Sequence, residues 1–221
     1  MDIKNHYKDL ILTESQIINN QHRDAVGGLW EEIGKLQFEF LVKNGLKPEH
    51  SLLDVGCGAL RGGIHFINYL YTKNYYGIDI NPFLMDAGIK ELEKASLLEK
   101  KPYLLVNGDF QFDLFNQKFD FALAQSLFTH LPLNHIHRCL INISKVLKEG
   151  GKFYATFFET ENKFALDGII QSNEIVTYLD SDPYHYHFSV FTYLIEGLPL
   201  TVQYIGDWKH PRNQKMVCFS K

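Results

Sequence analysis

The residues best placed to do chemistry in this chain are consecutive: Leu52-Leu53-Asp54-Val55-Gly56-Cys57-Gly58-Ala59-Leu60-Arg61-Gly62-Gly63. Gly56 and Gly58 let the backbone turn sharply and let a ligand approach with no Cβ in the way. Asp54, two residues before the first of them, offers a carboxylate that can receive charge-assisted hydrogen bonds from a cationic amino-acid head group. The spacing departs from two phosphate-binding loops. A dinucleotide fingerprint needs glycine where Arg61 stands, and Gly62 comes one residue late. No Gly-Lys-Ser/Thr follows, which removes a P-loop.

The surrounding pattern places this turn at the end of a strand. Residues 51–55 form a short apolar run, and 60–71 read as the helix after it. The alternation then repeats. A strand over 75–80 contains Asp79, and a helix over 82–98 has Pro82 in its first turn. Strands follow at 103–106 and 119–124, the second apolar enough for burial on both faces. A helix over 132–147 is stopped by Gly150-Gly151, and 153–158 is a fifth strand. Repeated strand–helix units predict a parallel sheet with helices on both faces. Upstream, a helix is expected over 9–20, then a break at Gly27-Gly28. Trp30, Ile33, Leu36, Phe38, Phe40 and Leu41 make a helical stripe that ends at Gly45 and Pro48. Beyond the fifth strand, residues 159–187 turn polar and broken. A short helix at 188–196 and two late strands, 200–205 and 214–220, close the chain.

Composition narrows the class of partner. With 221 residues, a single domain carrying an elaborated segment is expected. Apolar residues at 45% and charged residues at 22% are an ordinary globular balance, and most of the 17 Phe and 12 Tyr are expected in the core. A net charge of −4 without a basic stripe speaks against a dedicated nucleic-acid binder, which needs phosphate-neutralising charge on one face. Cys57, Cys139 and Cys218 are odd in number and scattered, so they form neither a disulfide framework nor a metal spacing. That usage fits a reducing cytoplasm. The opening Met1-Asp2-Ile3-Lys4-Asn5-His6 lacks a signal peptide's apolar stretch, and no apolar run reaches membrane-spanning length. A cytoplasmic protein without membrane insertion is expected.

From roughly residue 50 to 158, and more weakly beyond, the chain resembles the class I S-adenosylmethionine-dependent methyltransferases. Asp54-Val55-Gly56-Cys57-Gly58 is similar to the family's first motif. Asp79, ending Tyr76-Gly77-Ile78-Asp79, matches the acid that binds both ribose hydroxyls, and two acceptor oxygens suit a vicinal diol. By the same resemblance Ile80 and Asn81 lie beside the adenine, and Gly108-Asp109-Phe110 meets the adenine amino group. The segment 119–131 matches the fourth strand and its loop, so Gln125, Ser126 and Leu127 join Cys57 and Arg61 as expected cofactor contacts. Residues 1–45 are read as a helical lid segment, either ordinary N-terminal packing or a flap that brings Arg23 and Trp30 to the cofactor's edge. One departure matters. Many base-directed amino methyltransferases carry Asn/Asp-Pro-Pro-Tyr/Phe after the fourth strand, whereas Gln125-Ser126-Leu127-Phe128 stands here. Gln125 also supplies no carboxylate for a metal-dependent catechol-type site.

Methyl transfer from a sulfonium is an in-line displacement that mainly requires alignment and exclusion of water. A hydroxyl acceptor also gains from a base, and histidine is suited near neutral pH. His130, just after the fourth strand, is the first candidate base; a helix-capping role at Pro132 is its alternative. Glu159 and His185 are further candidates. The segment 159–187 is read as an inserted acceptor-side segment, with Tyr184 and His187 contacting the acceptor. His185 and His187 share a face if extended, but without a third ligand no metal is expected. His210 and Arg212, in the turn between the late strands, could bind an anionic or sugar acceptor or simply form a surface turn. His135 and His137 point in different directions on a helix and are read as solvated.

The resemblance implies an α/β doubly wound fold, a mostly parallel seven-stranded Rossmann-like methyltransferase sheet with an antiparallel last strand. It implies S-adenosyl-L-methionine as cofactor and methylation of a small polar acceptor: a sugar, nucleotide-sugar or phosphorylated intermediate, in surface-polysaccharide biosynthesis. A protein or RNA methyltransferase and a cofactor-binding but non-catalytic module are the competing readings. The expected assembly is a monomer or dimer acting on a small molecule, not on nucleic acid.

Overall fold

The computed structural model describes residues 7–162, 166–172 and 175–221. The chain divides into two compact units, Met1–Asp109 and Phe110–Lys221.

The first unit is built on three parallel strands, β1 (Leu52–Val55), β2 (Tyr75–Asp79) and β3 (Tyr103–Val106), in the order β3-β2-β1. Leu52 pairs with Tyr75, and Tyr76 with Tyr103. Every residue of β1 and β2 is buried, as two covered faces require. Five helices accompany them: α1 (Glu14–Ile18), α2 (Gln21–Ala25), α3 (Trp30–Lys43), α4 (Gly63–Tyr69) and α5 (Pro82–Lys94). The single helix expected over 9–20 is instead two short ones. Thr13 and Gln16 form a capping box that starts α1 at residue 14, and Asn20, at φ 61, breaks the run before α2. Helix α4 begins three residues later than the pattern suggests because Leu60, at φ 66, belongs to the left-handed turn. Helix α5 ends at Lys94, closed by Ser96 at φ 57 with Leu97 N donating to Leu92 O.

The second unit carries β4 (Phe119–Ala124), α6 (Leu133–Val146) and β5 (Leu147–Glu159), with β4 and β5 parallel. The last long strands, β9 (Thr201–Asp207) and β10 (Lys215–Ser220), are antiparallel to each other, and β10 is antiparallel to β5. Strand β5 is longer than the sequence suggests. Gly150-Gly151, expected to end a helix, lies inside it, with Gly150 at φ 77 beside a register shift between Phe119 and Phe121. A Cβ on Gly151 would meet Lys148 O at 2.8 Å, so the strand's crossing here depends on glycine.

Among its described residues, the inserted segment holds three two-residue strands that the sequence did not indicate. These are the antiparallel pair β6 (Ile169–Ile170) and β7 (Val176–Thr177), and β8 (His185–Tyr186), which adds in parallel to the end of β5. Helix α7 (Ser189–Leu194) follows. The aromatic load is accounted for here: Phe128, Phe153, Phe157, Phe191 and Phe219 are all buried in one cluster, with the Phe157 and Phe191 rings edge-on at 4.7 Å. All three cysteines are free and buried. Among the described residues, no helix is long and apolar enough to cross a membrane.

Candidate functional site

The glycine turn leaves β1 and is tied to the end of β2. Gly56 N and Cys57 N both donate to Ile78 O, at 2.8 and 3.1 Å. Gly58 N donates to Asp79 Oδ2 at 2.8 Å, and Asn81 N donates to Asp79 Oδ1 at 2.9 Å. Gly56 and Gly58 lie at φ 74 and 53, the left-handed backbone for which glycine carries no Cβ penalty. Two buried carboxylates therefore flank the turn. Burial pushes the Asp79 carboxyl up, while the backbone N–H groups of Asn81, Gly58 and Ile80 pull it back. Asp54 accepts the Tyr75 hydroxyl at 2.6 Å; burial still pushes its carboxyl up to about 7, against that bond, with the Asp79 charge adding to the rise. Two carboxylates with this little solvent favour a ligand bringing positive charge or hydroxyl donors. Burial and the same two carboxylates drive the Cys57 thiol up, away from the thiolate; its Sγ packs where a Cβ on Gly77 would sit.

The N-terminal segment lies over this turn. Val26 Cγ1 is 3.3 Å from the place a Cβ on Gly58 would take, and Arg61 Nη1 donates to Val26 O and Gly28 O, at 3.0 and 2.9 Å. Farther along, Arg23 and His22 converge on Glu91 of α5. Arg23 Nε and Nη2 reach its two oxygens at 3.1 and 2.8 Å, and His22 Nε2 reaches Oε1 at 2.8 Å. Arg23 also sits 4.8 Å above the Trp30 ring. Burial alone would raise Glu91, but the bonds from Arg23 and His22 hold its carboxyl below the usual range; burial lowers His22.

These contacts give several of the candidate residues structural partners. Arg23 and Trp30, assigned either to N-terminal packing or to the cofactor's edge, are joined to each other, and Arg23 clamps the segment to α5. Arg61 clamps the turn at 26–28. The Asn81 side chain, placed beside adenine, is fully engaged: Oδ1 caps α5 by accepting Leu84 N, and Nδ2 donates to Tyr7 O and Leu10 O. Gly108 packs closely on the neighbouring candidate Ile80, since a Cβ there would collide with Ile80 Cδ1 at 2.8 Å. Asp109 is exposed, its backbone N donating to Asn107 Oδ1, and Phe110 is buried against Phe112. Glu91, Tyr75 and Val26 were missed. For Glu91 a signal existed: it is a charged residue on the buried stripe of Leu84, Ala87, Gly88 and Leu92.

The second unit gathers the remaining candidates. After β4, Ser126 N donates to Thr156 Oγ1 at 2.7 Å, Ser126 Oγ donates to Gln214 Oε1 at 3.0 Å, and Gln125 Nε2 donates to Ser126 Oγ at 2.7 Å. Gln125 Nε2 also faces His210 Nε2 at 3.2 Å, while Gln125 Oε1 is buried with no partner. Leu127 precedes the 3-10 turn Phe128–His130. In that turn His130 Nδ1 lies 2.6 Å from Asp182 Oδ1, a partner the sequence did not reveal. His210, expected on an acceptor-facing turn, is instead buried, stacked on Trp208 and accepting Arg212 N at Nδ1. His187 and His185 do not share a face. His187 Nδ1 accepts Ser189 N at the start of α7, whereas His185 is fully buried with Nδ1 against Thr177 Oγ1 and Nε2 without a partner. Tyr184 is largely buried and stacks on Tyr186, so little of its ring is open to an acceptor. Glu159 Oε2 accepts the Tyr204 hydroxyl.

Residues 53–153 match the family model described as a methyltransferase domain. Among curated proteins, the chain is 31% identical over 112 residues to the sterol 24-C-methyltransferase of Yarrowia lipolytica, covering 50% of this chain and 28% of that one. It is 30% identical over 118 residues to the phthiotriol/phenolphthiotriol dimycocerosates methyltransferase of Mycobacterium leprae, covering 51% and 39%. The chain thus aligns with well under half the length of these relatives. Among solved structures, the magnesium protoporphyrin IX methyltransferase of Synechocystis, with bound S-adenosylmethionine, matches with a TM-score of 0.62 at 12% identity, over 97% of this chain and 88% of that one. That likeness shows the fold: a Rossmann-like methyltransferase sheet, mostly parallel, seven-stranded, with antiparallel last strands. S-adenosylmethionine is the cofactor of this class. The residues present fit it, because the Asp54 and Asp79 carboxylates suit an ammonium group and a ribose diol beside a turn free of side chains.

Proposed function

We propose that this chain is an O-methyltransferase that uses S-adenosylmethionine to methylate a small polar acceptor such as a sugar, nucleotide-sugar or phosphorylated intermediate, with a place in surface-polysaccharide biosynthesis. The observation that carries the donor half is the pair of buried carboxylates, Asp54 and Asp79, flanking the left-handed glycine turn. When bound, the cofactor supplies an electrophilic methyl group. Asp54 would hold its ammonium, Asp79 its ribose hydroxyls, and Val26 and its neighbours would exclude water above Gly58. The acceptor half is supported by His130, an imidazole in the turn after β4 with a carboxylate at Nδ1, suited to take a hydroxyl proton. The relatives' named substrates, a sterol, a phthiotriol lipid and a magnesium porphyrin, are all small molecules, and a net charge of −4 disfavours RNA.

The reading is tested by incubating the protein with S-adenosylmethionine and a panel of sugars, nucleotide-sugars and sugar phosphates, and following methyl gain by mass spectrometry. Methylation at a hydroxyl supports it. Methylation of protein or RNA alone would overturn the acceptor, and calorimetry showing no binding of S-adenosylmethionine or S-adenosylhomocysteine would overturn the donor.

A further inference from the structure

The His130–Asp182 pair is made by two segments 52 residues apart, and the way the inserted segment docks explains why they meet. Tyr178 N donates to Pro183 O and His185 N donates to Tyr178 O, at 2.9 Å each, closing the loop that carries Asp182. That loop is fastened to the chain around His130. Tyr184 N donates to Thr129 O at 2.7 Å, and the Tyr186 hydroxyl donates to Leu131 O at 2.6 Å. On the other side, Thr129 Oγ1 donates to Ser126 O and His130 N donates to Leu127 O, which fixes the 3-10 turn. Backbone bonds therefore brace both ends of a 2.6 Å imidazole–carboxylate contact. Both side chains remain partly accessible, at 24% and 22%, unlike the sealed His185.

We propose that Asp182 is a positioning residue that sets His130 as the base for an acceptor hydroxyl, an inference that rests on the O-methyltransferase reading above. An ionised carboxylate can only accept hydrogen bonds, so the ring nitrogen facing it carries the proton. In the neutral imidazole the lone pair is then at Nε2. The step is a proton transfer: the acceptor O–H bond breaks, an N–H bond forms at Nε2, and the electron pair left on oxygen becomes the nucleophile for the methyl. The resulting imidazolium is held by the Asp182 carboxylate and later loses its proton to solvent. The same loop also places Tyr184 and Tyr186 in electrostatic reach of Asp182, and Asp180 in reach of Tyr184. The chemistry defined is that of a hydroxyl, which is a weak nucleophile until deprotonated, and not of a neutral amine, whose lone pair is already nucleophilic.

The test is tautomer-resolved nitrogen NMR of the full chain at a pH well above the usual histidine range, with His130→Ala identifying the signal. The wild type is expected to show Nδ1–H with an unprotonated Nε2. Asp182→Ala is expected to shift the ring toward Nε2–H while calorimetric affinity for S-adenosylhomocysteine stays unchanged. On an acceptor found by the methyl-gain screen, Asp182→Ala is expected to lower turnover roughly 10- to 100-fold with little change in KM. An Nε2–H ring in the wild type overturns the proposal without recourse to any variant, as does a tautomer indifferent to Asp182→Ala. An Nδ1–H ring together with no methyl gain on any hydroxyl compound keeps the dyad and overturns the acceptor reading instead.

Discussion

At the scale of the residue, Asp54 sets the strongest constraint. Its carboxyl ordinarily titrates near 3.8 and in the fold is pushed up to about 7, chiefly by burial. A carboxyl raised on folding binds more protons folded than unfolded between those values, so its contribution to stability falls as pH rises through that window. Ionised Asp54 therefore weakens the unliganded protein above pH 7, and a bound ammonium compensates. Two outcomes are expected. Affinity for S-adenosylhomocysteine falls as pH drops below 7, with proton release on binding, which calorimetry in buffers of different ionisation enthalpy reads directly. Asp54→Asn raises the unliganded unfolding temperature at alkaline pH yet weakens the ligand about 10- to 100-fold, the loss of a hydrogen bond to a charged group. Unchanged affinity would remove Asp54 from the site. This residue was legible in the sequence because its neighbours are: Asp54, Gly56 and Gly58 are fixed by local backbone geometry. Tyr75, which moderates its charge, was not, since nothing in a buried strand's pattern says where one hydroxyl points.

At the scale of the element, the segment from Tyr7 to Trp30 is held by polar contacts more than by its own helices. Helices α1 and α2 have five residues each, too short to persist alone. Leu12 and Ile17 pack with Leu84 and Ala87, and Glu91, Asn81 and Arg61 fasten the chain. Glu91→Ala leaves His22 and Arg23 without their acceptor, at an expected cost of about 2–4 kcal/mol. The sharper readout is limited proteolysis, where cleavage within residues 7–29 should accelerate more than cleavage elsewhere. Acid should act in the same direction. His22 and Glu91 both have folded values below their ordinary ones, so the unfolded state binds more protons and stability is lost as pH falls, first through the ordinary histidine range and then through the carboxylate range. Cleavage in this segment that is indifferent to both Glu91→Ala and acid would show that apolar packing alone holds it. The sequence supports two roles for residues 1–45, packing and a flap; the contacts of Arg23 with Glu91 and with the Trp30 ring favour packing. Strands of four to six residues and α3 were readable because periodicity is local, whereas β6 to β8 have two residues each, too few to show a period, and β8 exists only through pairing with distant β5.

At the scale of the whole molecule, the donor and the acceptor chemistry are written in different parts of the chain, which is why one was readable and the other was not. The Asp54–Gly58 turn and Asp79 lie within the first unit and follow motif spacing. In the second unit, His130 meets Asp182 across 52 residues and Gln125 meets His210 across 85, pairings that no local period encodes. Those pairings also bury His210 and introduce Asp182. This division makes a separable prediction. A ligand that binds only the folded state at 100 times its Kd stabilises it by about 2.7 kcal/mol. For a chain of this size, each kcal/mol moves the unfolding midpoint by about 2–4 °C. Saturating S-adenosylhomocysteine should therefore raise the wild-type Tm by roughly 5–10 °C. His130→Ala and Asp182→Ala should keep that rise in full while slowing methyl transfer, because neither holds the donor. Asp79→Ala should abolish it at the same ligand concentration, because the diol loses both acceptor oxygens. If His130→Ala erased the rise as thoroughly as Asp79→Ala, the imidazole would belong to the donor site, and its assignment as the acceptor's base would fall.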